Sequence, residues 1–291
     1  MEGRHHALPQ RDRGAAAQAT TAEVMERLAA LEPSRLGRVM AAVVARLHGL
    51  ASELHATPAE MRALVAFLTE VGHHADARRQ EWVLLADVLG LSALIETQSA
   101  IRPPGATPNT MPGPFYRPDA PDLPAGATIC RDGKGVPLEV RGRVLSLVGG
   151  PVADALVEVW QANGEGKYEN QDPDLQPEFN LRGRFRTDAQ GRFRFSSVMP
   201  KGYRLPGDGP VGQLMARLGL TLERPAHIHF RVTARGHETL TTHIFDRADP
   251  AIARDAIFGV KPELLADFGP AGGAGPRSLD LDLTLCALVQ G

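Results

Sequence analysis

The hydrophobic period of this chain changes once, and that change limits what it can fold into. Across residues 20–101 apolar side chains return every three or four positions, the period of an amphipathic helix. Beyond residue 126 they return every second position, the period of a half-buried strand. Between the two lies a run broken by Pro103, Pro104, Pro108, Pro112, Pro114, Pro118, Pro121 and Pro124, which keeps the backbone extended. A chain so divided is α+β, with a helical front and a sheet-rich back. The expected layout is a flexible or disordered N-terminus over 1–19, a helical domain over 20–105, a proline-rich connection over 106–126 and an antiparallel β-sandwich over 127–291.

Local signals fill in this outline. Thr20 and Glu23 have the spacing of a capping box ahead of Val24, Leu28 and Leu31. Leu36, Val39, Met40, Val43, Val44, Leu47 and Leu50 follow one helix face. A stronger start lies at Thr57, with Pro58 at the first helical position and Glu60 reaching back. Met61, Leu64, Val65, Leu68 and Val71 follow it. A fourth helix is predicted over Arg79 to Leu89, with Trp82, Val83 and Leu85 inward and Gly90 ending it. In the back half Val140, Val144, Ala155, Val157 and Val159 mark strands, with Gly149-Gly150-Pro151 as a turn. Phe185 to Phe195 reads as a hairpin across Asp188 to Gly191. His227 to Val232 and Leu240 to Phe245 are further strands, and Leu279, Leu281, Leu283 and Leu285 alternate with Asp280, Asp282 and Thr284. No helix is expected among these strands, which argues for an antiparallel sandwich.

Composition removes several functions. Lysine and arginine (32) nearly balance aspartate and glutamate (34), so no global basic excess exists to neutralise phosphates and no nucleic-acid partner is expected. Cys130 and Cys286 stand far apart with no metal-binding spacing, which suits a reducing compartment. No apolar run approaches the ~20 residues of a membrane span. The first 19 residues also lack the apolar stretch of a signal peptide. A cytoplasmic protein with no membrane span is expected.

The chemistry concentrates between residues 160 and 245. His227-Ile228-His229 lies in a strand pattern, where residues two apart share a face with Cα atoms about 6.5–7 Å apart. Two imidazoles so placed converge on one metal at about 2.0–2.1 Å each. Alone, the same pattern also describes two surface histidines. No carboxylate is conspicuously paired with this strand. Tyrosine is scarce: the chain has three, and Tyr168 and Tyr203 stand in glycine-containing loops before the histidines. Each read singly is a buried amphipathic ring. Together with the histidine pair they suggest phenolate ligands, hard anionic donors suited to Fe(III). A phenol of pKa about 10 ionises at neutral pH only beside such a charge.

Four stretches then carry a resemblance: Gly113-Pro114-Phe115-Tyr116, Val159-Trp160-Gln161-Ala162-Asn163, Leu181 to Asp188, and Arg224-Pro225-Ala226-His227-Ile228-His229-Phe230. With the helical segment Leu84 to Gly90, they make the chain resemble the intradiol ring-cleavage dioxygenases over roughly residues 25–268. Within that family it is most similar to the members that act on hydroxyquinol. The resemblance implies one Fe(III) per subunit, held by Tyr168, Tyr203, His227 and His229. Tyr168 and His227 would be equatorial, Tyr203 and His229 axial. It implies that a catechol-type substrate displaces Tyr203, which takes up a proton, and that O2 is inserted between the two hydroxyl-bearing carbons. Arg224 matches an arginine beside the substrate, and His243 a position next to the ligands. Leu84, Asp87, Gly113, Pro114, Phe115, Leu205, Pro206 and Ile257 match substrate-pocket positions, with Asp87 placed to accept from a third hydroxyl. Tyr116 has no metal role. The helical domain would form a homodimer with an apolar groove able to hold a phospholipid, for which Leu36, Val39, Val43, Leu47 and Leu50 supply a stripe. Departures at Met111-Pro112, Lys167 and Arg204 fall on the pocket rim and bear on substrate preference. The alternatives are catechol or substituted-catechol cleavage, a zinc hydrolase, and a non-catalytic sandwich of transthyretin-like type.

Overall fold

The structure, a computed structural model, describes residues 13–29, 31, 33–76, 79–99, 102–269 and 277–288. Residues 1–12 of the expected flexible segment lie outside the described residues. The chain divides into two compact units, Met1–Glu70 and Val71–Gly291.

In the first unit, α1 (Arg13–Ala29) packs on α2 (Arg35–Glu53) and is followed by the start of α3 (Pro58–His73). Helix α1 begins seven residues before the expected cap at Thr20, because the alanines at 15, 16, 17 and 19 are strong helix formers that carry the helix through it. At α2 the cap is Ser34, whose hydroxyl accepts from the Gly37 N–H at 2.8 Å. The box at α3 is as predicted. Glu60 accepts from the Thr57 N–H at 2.8 Å, and the Glu60 N–H donates to Thr57 Oγ1 at 3.2 Å.

The second unit opens with two short helices, α4 (Glu81–Val88) and α5 (Leu91–Ser99), separated by Gly90 at φ +72°. The predicted inward face of α4 holds only at Leu85, which is half-buried. Trp82 and Val83 are about half exposed, and Glu81 and Val88 are buried instead. The cause is polar: Glu81 accepts from the Val211 N–H at 3.1 Å, at the start of helix α6 (Pro210–Arg217), and pairs with Arg79 at 2.9 Å. Helix α6 also interrupts the strand region, where none was expected.

The strands form two main sheets. β1 (Pro137–Ser146) is flanked by β11 (Arg277–Leu285) and β5 (Arg192–Val198), with the short β2 (Gly149–Pro151) folding back onto its end. The turn there is Leu147-Val148, one step before the glycine pair that was expected to form it. The other sheet runs β10 (Leu265–Ala266), β9 (Leu240–Asp246), β8 (His227–Thr233), β3 (Leu156–Gln161), β4 (Arg182–Arg186). Two-residue strands β6 (Tyr203–Arg204) and β7 (Glu223–Arg224) pair by themselves. The architecture is the expected α+β, but the sheets are not wholly antiparallel. β11 runs parallel to β1, and β10 parallel to β9, which long connections permit. The expected hairpin also divides. The Asp188 turn forms, yet β4 joins β3 in one sheet and β5 joins β1 in the other. Phe185 and Phe195 meet across the interior as stacked rings 5.2 Å apart.

That interior takes Val140, Val144, Phe193 and Leu283 from one sheet and Val157, Val159, Ile228 and Phe230 from the other. Full burial of each large side chain contributes about 1.5–3 kcal/mol, so the register of β8 is firmly held. With Ile228 and Phe230 committed to the core, His227 and His229 must emerge on the opposite face of their sheet.

Candidate metal centre

Two neighbouring strands carry the three imidazoles. His227 and His229 stand on β8, and His243 on β9 is paired directly with His229. Trp160 of β3 is paired with His229 from the other side and stacks on it, with centroids 4.6 Å apart and planes 15° from parallel. All three histidines are at most 2% exposed. Burial, with the charge of Arg224 close by, pushes each well below the ordinary histidine range, so the rings are neutral. His227 Nδ1 lies 2.7 Å from the Pro225 carbonyl, which fixes the proton on Nδ1 and leaves Nε2 a free lone pair. That Nε2 is 3.2 Å from His229 Nε2.

The tyrosines arrive on loops. Asn163 follows β3 and accepts from the Glu165 and Lys167 N–H groups at 2.9 and 3.0 Å, curling the chain so that Tyr168 turns inward. Gly166, at φ +82°, allows this loop to rest on the next one. A Cβ there would stand 2.8 Å from the Gly202 carbonyl and 3.1 Å from Tyr203 Cβ. Tyr168 Oη is 3.0 Å from His229 Nε2, and its ring is fully enclosed. Burial and the neighbouring Tyr203 hydroxyl push the Tyr168 phenol well above its usual range. Tyr203 lies 5.8 Å from Tyr168 and 5.7 Å from His227, ring to ring, and its oxygen accepts from Arg224 Nη1 at 3.3 Å.

Donors that share a metal at about 2.0–2.1 Å each stand roughly 2.9–3.4 Å from one another. The 3.0 and 3.2 Å separations among Tyr168 Oη, His229 Nε2 and His227 Nε2 meet that condition. Two imidazole lone pairs aimed at one point repel unless a proton on one nitrogen or a cation lies between them. A phenol held this far from water ionises only beside strong positive charge, so the donor set fits a hard, highly charged ion. His243 is the third member of a histidine group whose donor atoms lie within 4.8 Å of one another, and neither of its ring nitrogens has a hydrogen-bond partner.

The surroundings hold the rings in place. Phe115 stacks on Tyr168 at 4.3 Å, and a Cβ at Gly113 would stand 3.6 Å from His229 Cε1. Arg182 on β4 bonds Glu169 at 2.7 Å, next to Tyr168, and also donates to the Phe115 carbonyl. Tyr116 points elsewhere, donating to Glu158 at 2.9 Å. Burial raises the Asp87 carboxyl above its usual range, with the Ser92 hydroxyl and the Arg224 charge opposing, and its Oδ1 has no partner. Leu84 and Leu205 are half-buried, Ile257 is buried, and Pro114 and Pro206 are exposed. Sequence reading missed Glu169 and Arg182, which pair beside Tyr168, and Asp255, which pairs with Arg224. Glu169 sits beside a candidate ligand, and Arg182 lies inside a quoted stretch; Asp255 had no signal.

Comparison with known proteins agrees with this arrangement. A family described as Dioxygenase matches residues 111–285, and one described as Catechol dioxygenase N terminus matches residues 34–107. Hydroxyquinol 1,2-dioxygenase of Rhizobium sp. (strain MTP-10005) is 48% identical over 245 residues, 84% of this chain and 83% of that protein. The 6-chlorohydroxyquinol 1,2-dioxygenase of Cupriavidus pinatubonensis (strain JMP 134 / LMG 1197) is 41% identical over 248 residues, 85% of this chain and 90% of that one. The crystal structure of hydroxyquinol 1,2-dioxygenase from Pseudomonas putida DLL-E4 superposes with a TM-score of 0.86 at 36% identity, covering 93% of this chain and all of that one.

Proposed function

The chain belongs to the intradiol ring-cleavage dioxygenase family, and from that premise we propose that it opens hydroxyquinol (benzene-1,2,4-triol) with O2 between the two adjacent hydroxyl-bearing carbons. Both oxygen atoms enter the product, 3-hydroxy-cis,cis-muconate, the enol form of maleylacetate. The observation that carries the reading is the meeting of two imidazole nitrogens and a phenolic oxygen within 3.0–3.2 Å, under a second tyrosine held by an arginine.

Tyr168, Tyr203, His227 and His229 would hold one Fe(III) per subunit. When bound, the ferric ion would supply Lewis acidity toward the dihydroxy ring. Tyr203, the less buried of the two, would as a phenolate accept a proton from the substrate at Oη, and the Arg224 guanidinium 3.3 Å away stabilises that oxygen while it is anionic, together with charge on the ring. His243 stands against both ligand histidines and orders them. Phe115, Gly113, Pro114, Leu84, Leu205, Pro206 and Ile257 would line the pocket around the ring.

Asp87 reads the third hydroxyl. Its partnerless Oδ1 is satisfied by that group and left buried and unpaired when catechol binds. The test is oxygen uptake with hydroxyquinol and catechol, with identification of the products. Wild-type protein is expected to favour hydroxyquinol, and Asp87→Asn to lose about tenfold of that preference. Equal losses on both substrates would remove Asp87 from this role.

The same reading extends to assembly and compartment. A homodimer through the helical region, with a groove able to hold a phospholipid, is supported by the outward apolar row of Leu36, Val43, Leu47 and Leu50 with half-buried Val39. Among the described residues no helix is long and apolar enough to cross a membrane. The free thiols of Cys130 and Cys286 support a cytoplasmic location.

A further inference from the structure

Arg224 is almost completely enclosed, and each arm of its guanidinium has a different fate. Nε lies 3.2 Å from Asp255 Oδ1, and Nη1 lies 3.3 Å from Tyr203 Oη. Nη2 is buried and has no partner. The two side chains are 3% and 2% exposed, so solvent does not complete the set. Asp255 is itself anchored. Its Oδ2 accepts from the Gly259 N–H at 2.9 Å, and the following residue, Ala256, donates its N–H to the Glu223 carbonyl beside Arg224 at 3.0 Å. Gly259 lies so near that a Cβ would come within 3.2 Å of Nη2 and 3.1 Å of Asp255 Oδ2.

A buried donor without an acceptor is rare in folded proteins and requires an explanation. The guanidinium is a rigid planar fork, so fixing Nε and Nη1 also fixes the direction of Nη2. We propose that Asp255 is a positioning residue for Arg224: it grips Nε so that Nη1 serves Tyr203 and Nη2 is held free for an oxygen of the bound substrate. This rests on the ring-cleavage reading above, and concerns a residue that is neither a ligand nor part of the pocket wall. A carboxylate of this length is needed, because it must reach Nε with one oxygen and the Gly259 N–H with the other. Glutamate keeps the charge but moves the fork.

The experiment is a double-mutant cycle of Asp255→Asn and Arg224→Gln, with Asp255→Glu beside it, all in iron-loaded protein. It reads kcat/KM for hydroxyquinol, iron content, the thermal unfolding midpoint and the affinity for 4-nitrocatechol by spectral titration. Asp255→Asn is expected to lower kcat/KM by about 10²-fold, the cost of a misplaced catalytic group, with iron content unchanged. In the Arg224→Gln background it is expected to cost less than about threefold more, since no guanidinium remains to position. Asp255→Glu is expected to lose at least about tenfold with a midpoint near wild type. Equal losses in both backgrounds, wild-type kcat/KM in Asp255→Glu, or loss of iron from Asp255→Asn would each overturn the proposal. Should Asp255→Asn not fold, the charge-free double variant and Asp255→Glu carry the comparison. If wild-type protein does not turn over hydroxyquinol, the ring-cleavage reading fails, and the same cycle in 4-nitrocatechol affinity still decides the role of Asp255.

Discussion

At the scale of single residues, the centre is a set of groups whose protonation is imposed by burial. His227, His229 and His243 are held well below the ordinary histidine range, with burial the largest cause. Below pH about 6.5 the unfolded chain binds a proton at each of the three while the folded chain does not. Stability of the iron-free protein is therefore expected to be full above that pH and to fall on acidification. The slope from these three approaches about 4 kcal/mol per pH unit, at about 1.4 for each. Urea unfolding between pH 7 and 5 measures it, and His243→Phe should reduce the slope by about a third. A flat profile would mean the rings are already charged or solvated. Tyr168 tests the ligand set more directly: Tyr168→Phe is expected to lose the visible tyrosinate-to-iron absorption or the iron itself. An unchanged spectrum would remove it from the set. The histidine pair was legible in the sequence because period-two spacing fixes a shared face whatever the rest of the fold does. Asp255 was not legible, since its value lies in a contact with Arg224 across 31 positions that no local pattern encodes.

At the scale of elements, the two tyrosine loops depend on one backbone contact. Gly166 at φ +82° leaves room for the Gly202 carbonyl and Tyr203. Gly166→Ala is expected to cost about 1–3 kcal/mol in unfolding free energy, from the unfavourable backbone region together with the collision. It is also expected to lower iron occupancy, because separating the loops separates Tyr168 from Tyr203. Denaturant melts and metal analysis of the variant check both, and wild-type occupancy would show that the loops do not need this contact. Elements with a local signal were read correctly: the Thr57 box of α3, and the alternation of β11. Those fixed by distant partners were not. β4 and β5 look like one hairpin because a tight turn joins them, yet each strand satisfies its hydrogen bonds in a different sheet. Helix α4 buries Glu81 instead of Trp82 because the carboxylate caps a helix more than a hundred positions away, a reward that hydrophobic periodicity does not register.

At the scale of the whole molecule, the helical region turns an apolar row outward, with Leu36 70% and Leu47 57% exposed. An exposed row of this kind is costly unless another surface covers it. Leu47→Glu with Val43→Glu is expected to convert a dimer to a monomer in sedimentation equilibrium while hydroxyquinol turnover persists. A wild-type monomer would end the dimer reading. The sheet-rich unit has a different dependence. Its first strand, β1, is paired along its length with β11, the last strand among the described residues. During synthesis β1 therefore waits as an open edge while the 139 positions that separate it from its partner are added, and the sheet is sealed only when β11 arrives.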